Sequence, residues 1–274
     1  MYNVPICVNF YIDIKKKKAI KIGKKIINIL NENFSGNSES IYKINTTNKQ
    51  NISYDQSYIE KFITNENKTE LSKQIYSYIN TNSNTNIKFN LIKTKIKKTK
   101  ISKFESNVEN LNNKYIHINI INDIKFNGLT YMPWFFQNNQ ITPQIFISYY
   151  IFKKNKIKTI IHEMGHLFGL FHTFDNIDNC HQIYKLYMGD DFYNGEYLKS
   201  NDRIYYDIPS QTTCMYLNPF DLNYFQLNDK NEVTNFCNYM CYNEDCVLTH
   251  FTQCQINIMI YFIEKYFKDV IFKM

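Results

Sequence analysis

The chain alternates between stretches with a clear hydrophobic rhythm and long polar stretches with none. Val4 to Ile12 is an apolar run of strand length. Ile22, Ile26, Ile29 and Leu30, with Phe34 beyond, recur at the spacing of a helix that ends before Gly36. From Gly36 to about Asn86 the text is rich in Asn, Ser and Thr and reads as a loop-and-helix insertion, with one amphipathic piece around Tyr58 to Ile79. Strands are predicted next at Ile87 to Ile92, Tyr115 to Ile121, Leu129 to Met132 and Ile145 to Tyr150. Their spacing is too tight for a helix between every pair, so a mixed sheet is expected.

Helical spacing returns at Lys156 to Phe171, where Ile157, Ile160, Ile161, Met164, Leu167 and Phe168 mark one buried face and the histidines fall on the opposite side. After His172 the text is irregular until a last helix, announced by Thr252 and Gln255 as a capping box and carrying Ile256, Met259, Ile260, Ile263 and Phe267 as its core stripe. No internal repeat and no linker divides the chain. One domain over residues 1–274 is expected, with an upper part at 1–172 that holds the insertion at about 36–86, and a lower part at 173–274.

Composition narrows the partners. At 274 residues, 44% hydrophobic and 16% aromatic, the chain can bury one sizeable core. The net charge of +7 comes almost entirely from Lys, Arg203 being the one Arg. The runs Lys15 to Lys18 and Lys93 to Lys100 lack the Arg forks and stacking aromatics of nucleic-acid sites and read as solvated faces. No nucleic acid partner is expected, and no membrane partner, since no apolar run reaches the length of a span. Met1 to Ile12 lacks the pattern of a secretory signal. Cys7 stands alone, whereas Cys180, Cys214, Cys237, Cys241, Cys246 and Cys254 crowd the last third without any C-x2-C pair. That favours disulfides over a second metal site and suits an oxidising compartment, with connectivity, compartment and oligomeric state left open.

The most informative stretch is His162-Glu163-Met164-Gly165-His166-Leu167-Phe168-Gly169-Leu170-Phe171-His172. Two histidines four apart stack on one helical face, so both imidazoles can reach one tetrahedral metal. Glu163 then stands beside the open position, where it can accept a proton from an activated water. Gly169 permits the sharp turn that returns His172 as a third ligand. A chance His-Glu-x-x-His in such a chain has a probability of roughly 1 in 100, and adding Gly169 and His172 lowers it to the order of 1 in 10⁵. The chemistry implied is zinc-dependent hydrolysis of internal peptide bonds, with His162, His166 and His172 as ligands and Glu163 as general base.

This pattern is the zinc signature of the metzincins, and with Thr173-Phe174 after it the chain resembles the pappalysin family. Tyr206-Asp207-Ile208-Pro209 with Cys214 resembles that family's Asp-Thr-Pro segment, Ile208 standing where the family has Thr. Asn238-Tyr239-Met240-Cys241-Tyr242 resembles its Met-turn, though with Cys241 inside it. Glu244-Asp245-Cys246 and Phe251-Thr252-x-x-Gln255-x-x-x-Met259 resemble its closing helix, and Val4 to Ile12 followed by Ile26 to Phe34 resembles its first strand and backing helix.

The resemblance implies an α+β metzincin-like zincin. A twisted mixed β-sheet with two long helices, backing and active-site, would lie above the cleft, with an irregular Cys-rich lower lobe, Met-turn and C-terminal helix below. It implies that Met240 floors the zinc site, that Tyr242 stabilises the oxyanion, and that Gly128, Leu129 and Thr130 bind an extended protein or peptide substrate. Cys180, Cys214, Cys237 and Cys246 are its disulfide candidates. Asp190, Asp191, Asp202 and Asp207 could supply oxygen donors to a calcium ion. His117, His181 and His250 are left unassigned. The rival readings are a catalytically impaired zinc-binding interaction protein of the same fold and a basic nucleic-acid binder.

Overall fold

The computed structural model describes residues 1–36, 84–98, 111–123, 125–138, 141–154, 156–175, 177–188, 238–242, 245, 248 and 250–273. Most of the 36–86 insertion, the Asp-Thr-Pro-like segment at 206–209, and Asp190, Asp191, Asp202, Cys214, Cys237, Glu244 and Cys246 lie outside them.

Strand β1 (Tyr2–Phe10) leads to helix α1 (Lys16–Phe34), then to β2 (Ile87–Ile96), β3 (Ile116–Ile121) and β4 (Gly128–Thr130). A short helix α2 (Pro133–Asn138), β5 (Gln144–Ser148) and one turn of helix α3 (Ile151–Lys154) follow. Helix α4 (Thr159–Leu167) precedes α5 (Ile177–Met188), α6 (Gln253–Tyr266) and the short strand β6 (Phe272–Lys273). The architecture is mixed α+β, as expected.

The sheet runs β2-β1-β3-β5-β4, with β6 pairing β1. Strand β1 is parallel to β2 and β3, and β3 to β5, whereas β4 runs antiparallel to β5 at the edge. Strands β1, β3 and β5 are largely buried on both faces, the usual condition of the inner strands of a parallel sheet. At the opposite edge β2 runs on to Ile96, past the predicted end at Ile92, so that Lys93 and Lys95 pair with Cys7 and Asn9 of β1. Lysines on an edge strand discourage pairing with another chain.

The chain sorts into two compact units. The first comprises Met1–Gly36, Asn84–Leu170 and Ile258–Met274. One face of its sheet carries Val4, Ile6, Val8 and Phe10, all at zero exposure. Phe34, Phe89 and Phe168 meet above them, with Phe34 edge-on to Phe89 at 4.9 Å and Phe168 edge-on to Phe267 at 5.9 Å. The opposite face is polar yet equally buried. There Cys7 donates to Asn9 at 3.6 Å, the Asn9 amide donates to His117 Nδ1 at 3.0 Å and to Asn119 at 2.9 Å, and Asn119 donates to Gln144 at 2.7 Å. His117 Nε2 donates to the Asn112 carbonyl at 3.0 Å, so both ring nitrogens are used. Burial pushes the His117 imidazole down to about 4, which keeps it neutral, and the nearby Lys95 and Lys97 act in the same direction.

The second unit comprises Asn37–Ser83 and Phe171–Asn257, of which the described parts include α5 and the start of α6. Helix α5 falls where the sequence reads as irregular. Its buried stripe, Cys180, Tyr184 and Met188, recurs every four residues among polar neighbours. The predicted capping box of α6 is formed: Gln255 N–H donates to Thr252 Oγ1 at 3.2 Å and Thr252 N–H donates to Gln255 Oε1 at 2.9 Å. Gln255 also exchanges bonds with Asn238 at 2.7 and 3.1 Å, and Asn238 Oδ1 takes the Met240 N–H at 2.8 Å.

One expectation needs correction. Helix α4 is nine residues, not a second long helix, because it stops at Leu167. On its histidine side, His162 and Glu163 are each 7% exposed. Cys180, one of the disulfide candidates, is buried with no second cysteine at bonding distance among the described residues, its candidate partners Cys214, Cys237 and Cys246 lying outside them, and burial pushes its thiol up to about 12.

Candidate metal centre

Helix α4 ends in a way that the sequence dictates. Gly169 takes φ +95°, Leu170 N–H donates to the Gly165 carbonyl at 3.0 Å, and Gly169 N–H donates to the His166 carbonyl at 2.9 Å. This is a Schellman cap with glycine in the left-handed position. A side chain there is excluded twice, since a Cβ on Gly169 would also lie 2.3 Å from the Phe262 ring. The cap turns the chain out of the helix three residues before His172.

The same cap sets the chemistry of a ligand. The Leu170 carbonyl can only accept, so His166 Nδ1 carries a proton and donates it at 2.6 Å, which leaves His166 Nε2 as a lone pair. His166 Nε2 stands 3.0 Å from His162 Nε2, the two rings edge-to-face. Two nitrogens bound to one tetrahedral ion at about 2.0–2.1 Å stand about 3.3 Å apart, so this pair is spaced for a shared metal. His172 completes the set, and one nitrogen from each of the three rings lies within 4.8 Å of the others. Three imidazoles with open nitrogens are a donor set that suits zinc.

His172 is held by neighbours that follow it in sequence. The Asp175 carboxylate accepts the His172 backbone N–H at 2.9 Å and faces its Nδ1 at 3.2 Å. A proton on Nδ1 directed at that carboxylate leaves Nε2 for a metal. Phe174 stacks on the His172 ring at 4.7 Å, and Tyr242 meets it edge-on at 4.8 Å. Asp175 is absent from the sequence reading. Its only signal is a carboxylate three residues after a ligand, which matters once the chain is known to turn there.

Glu163 lies in the first unit beside the edge strand, where Gly128 approaches its side chain. Burial pushes the Glu163 carboxyl up to about 8. A divalent cation next to it would act in the opposite direction and favour the carboxylate. Met240 is fully buried in a turn closed by Cys241 N–H donating to the Asn238 carbonyl at 3.0 Å, and its own carbonyl accepts from Thr173 N–H at 3.3 Å. Tyr242 follows it, 39% exposed. Leu129 and Thr130 are half-buried on β4.

A family model described as pregnancy-associated plasma protein-A matches residues 98–264. No curated protein matches the chain in sequence. Among solved structures the fold is similar to mirolysin in complex with compound 9, at TM-score 0.60 and 20% identity over 96% of this chain and 92% of that one. It is similar also to Tannerella forsythia mature mirolysin in complex with a cleaved peptide, at TM-score 0.57 and 21% identity over 94% of this chain and 89% of that one. A family match over more than half its length, together with the three gathered histidines, places this chain in the pappalysin family of metzincin metalloendopeptidases.

Proposed function

We propose that the chain hydrolyses internal peptide bonds, with His162, His166 and His172 holding one zinc ion and Glu163 as the general base. The observation that carries this reading is the approach of three imidazole nitrogens within 4.8 Å, with an enclosed carboxylate one residue after the first ligand. Zinc bound there supplies Lewis acidity, which acidifies a water and polarises the substrate carbonyl. Glu163 accepts the water's proton on its carboxylate and passes it to the departing amine. Leu170 and Asp175 hold His166 and His172 in the tautomers that leave Nε2 open.

The substrate is a protein or peptide, laid extended along β4. This strand ends the order of the sheet, so one of its edges has no strand partner among the described residues and can hydrogen-bond a substrate backbone. The mirolysin complex with a cleaved peptide supports the same class of ligand. Tyr242 stabilises the oxyanion, a role supported by its contact with His172, and Met240 supplies an apolar floor. The whole acts as one catalytic domain over residues 1–274, in two parts, 1–172 and 173–274. Among the described residues no helix is long and apolar enough to cross a membrane.

The test is digestion of an unbiased peptide mixture by the purified protein, with and without a chelator. Cleavage within chains that a chelator stops and zinc restores is the expected result. Glu163→Ala should retain one zinc and lose about 10²–10⁴-fold in kcat. Full turnover in that variant would remove Glu163 from its role.

A further inference from the structure

Gly128 is glycine for a reason that backbone geometry does not supply. It lies at the start of β4 paired with Ile147, and its φ is outside the left-handed range, so an L side chain would suit the backbone. What it lacks is room. A Cβ built on Gly128 would lie 2.6 Å from both Cγ and Oε1 of Glu163 and 2.9 Å from Cδ. Real Cβ atoms do not come so close to anything, so a side chain at 128 and the present Glu163 conformer exclude each other. The neighbour that would have to yield is the Glu163 side chain from Cγ outward, not backbone. The fold would therefore absorb the change while the carboxylate moved.

We infer that Gly128 is a positioning residue, the seat that fixes where the Glu163 carboxylate stands. Resting on the proposed role of Glu163, this extends it: the edge strand that aligns the substrate also sets the place of the base, through the absence of one methyl group. Displacing a catalytic group by about 1 Å can cost on the order of 10² in rate without touching the chemistry of the group itself. Metal binding needs only the histidines and should not change.

The experiment compares wild type, Gly128→Ala, Glu163→Ala and the double variant by zinc content, thermal melting and steady-state kinetics. Gly128→Ala should keep one zinc per chain, lose about 100-fold in kcat and leave KM within about threefold. Its melting cost should vanish in the Glu163→Ala background, because the atoms it collides with are gone. A strand residue that merely packs would show the same melting cost in both backgrounds. If Gly128→Ala folds only when combined with Glu163→Ala, the inference stands. Failure to fold in both backgrounds, full kcat in Gly128→Ala, a loss confined to KM, or an additive melting cost would each overturn it. Should Glu163→Ala remain active, the general-base assignment falls, while the melting comparison still reports whether Gly128 seats that side chain.

Discussion

Two of the places where this protein encloses histidines are built on opposite principles. On the polar face of the sheet, His117 has Asn9 on one ring nitrogen and the Asn112 carbonyl on the other, and burial lowers its pKa to about 4. At the end of α4, His162 and His166 direct nitrogen at nitrogen across 3.0 Å, and His172 brings a third. A saturated imidazole is a structural brace. Three that converge with lone pairs in common need a cation, because neutral acceptors facing one another give nothing back for their desolvation. The lesson is that burial alone does not identify a functional histidine; where its second nitrogen points does.

The sharpest way to break this contrast is to remove one member of each group. His166→Ala should lose stoichiometric zinc after dialysis and, with it, all measurable peptidase activity. His117→Asn should retain one zinc and wild-type turnover at neutral pH while melting at a lower temperature, since it strips partners from Asn9 and Asn112. Zinc retained by His166→Ala, or lost from His117→Asn, would erase the distinction.

The second test uses protons. The His117 pKa falls from 6.5 to about 4 on folding, so the unfolded chain binds the extra proton between those values. The stability this group contributes is full above pH 6.5 and is lost as the pH falls towards 4, by about 3 kcal/mol at most. Denaturant titrations of wild type and His117→Asn across that window should show a steeper acid loss in wild type. Parallel curves would mean that the ring is not held neutral by the sheet.

These contrasts also mark what can be read from the sequence. The motif from His162 to His172 is legible because each chemical role depends on a fixed offset: four residues for stacking on a helix, three to the glycine, three more to the returning ligand. Strand β1, helix α1 and the α6 cap are legible for the same reason, as local periodicity and local hydrogen bonds decide them. The row of Asn9, His117, Asn119 and Gln144 is not, since alternating polar residues in a strand look like a solvent face, and only pairing across β1, β3 and β5 shows that they satisfy one another. Helix α5 hides because Cys180 and Tyr184 belong to its stripe but do not score as plainly apolar. Gly128 carries no local signal at all, because its reason lies on another element, at Glu163.

A smaller effect is expected at Asp175, which tests whether the converging rings need support from beside them. Asp175→Asn keeps the shape but weakens the charge-assisted hold on His172 Nδ1. Loss of such a partner typically lowers metal affinity about 10–100-fold. Competition with a zinc-selective chelator reads this directly. An unchanged affinity would assign Asp175 to capping the His172 backbone N–H alone.

The mildest perturbation should separate folding from metal binding altogether. Thr252→Ala deletes the acceptor of the Gln255 N–H and leaves the rest of the cap intact, including the bond from the residue 252 N–H to Gln255 Oε1. Gln255 can still hold Asn238, and Asn238 can still hold the Met240 N–H, so the turn beside Thr173 keeps its support. The expected cost is that of a lost N-cap, about 1 kcal/mol, or a fall of about 2–4 °C in Tm. Zinc affinity and kcat should stay at wild-type values. A measurable fall in either would mean that the cap of α6 reaches the metal centre through Asn238, and that the turn carrying Met240 is part of what holds the ligands rather than a neighbour of them.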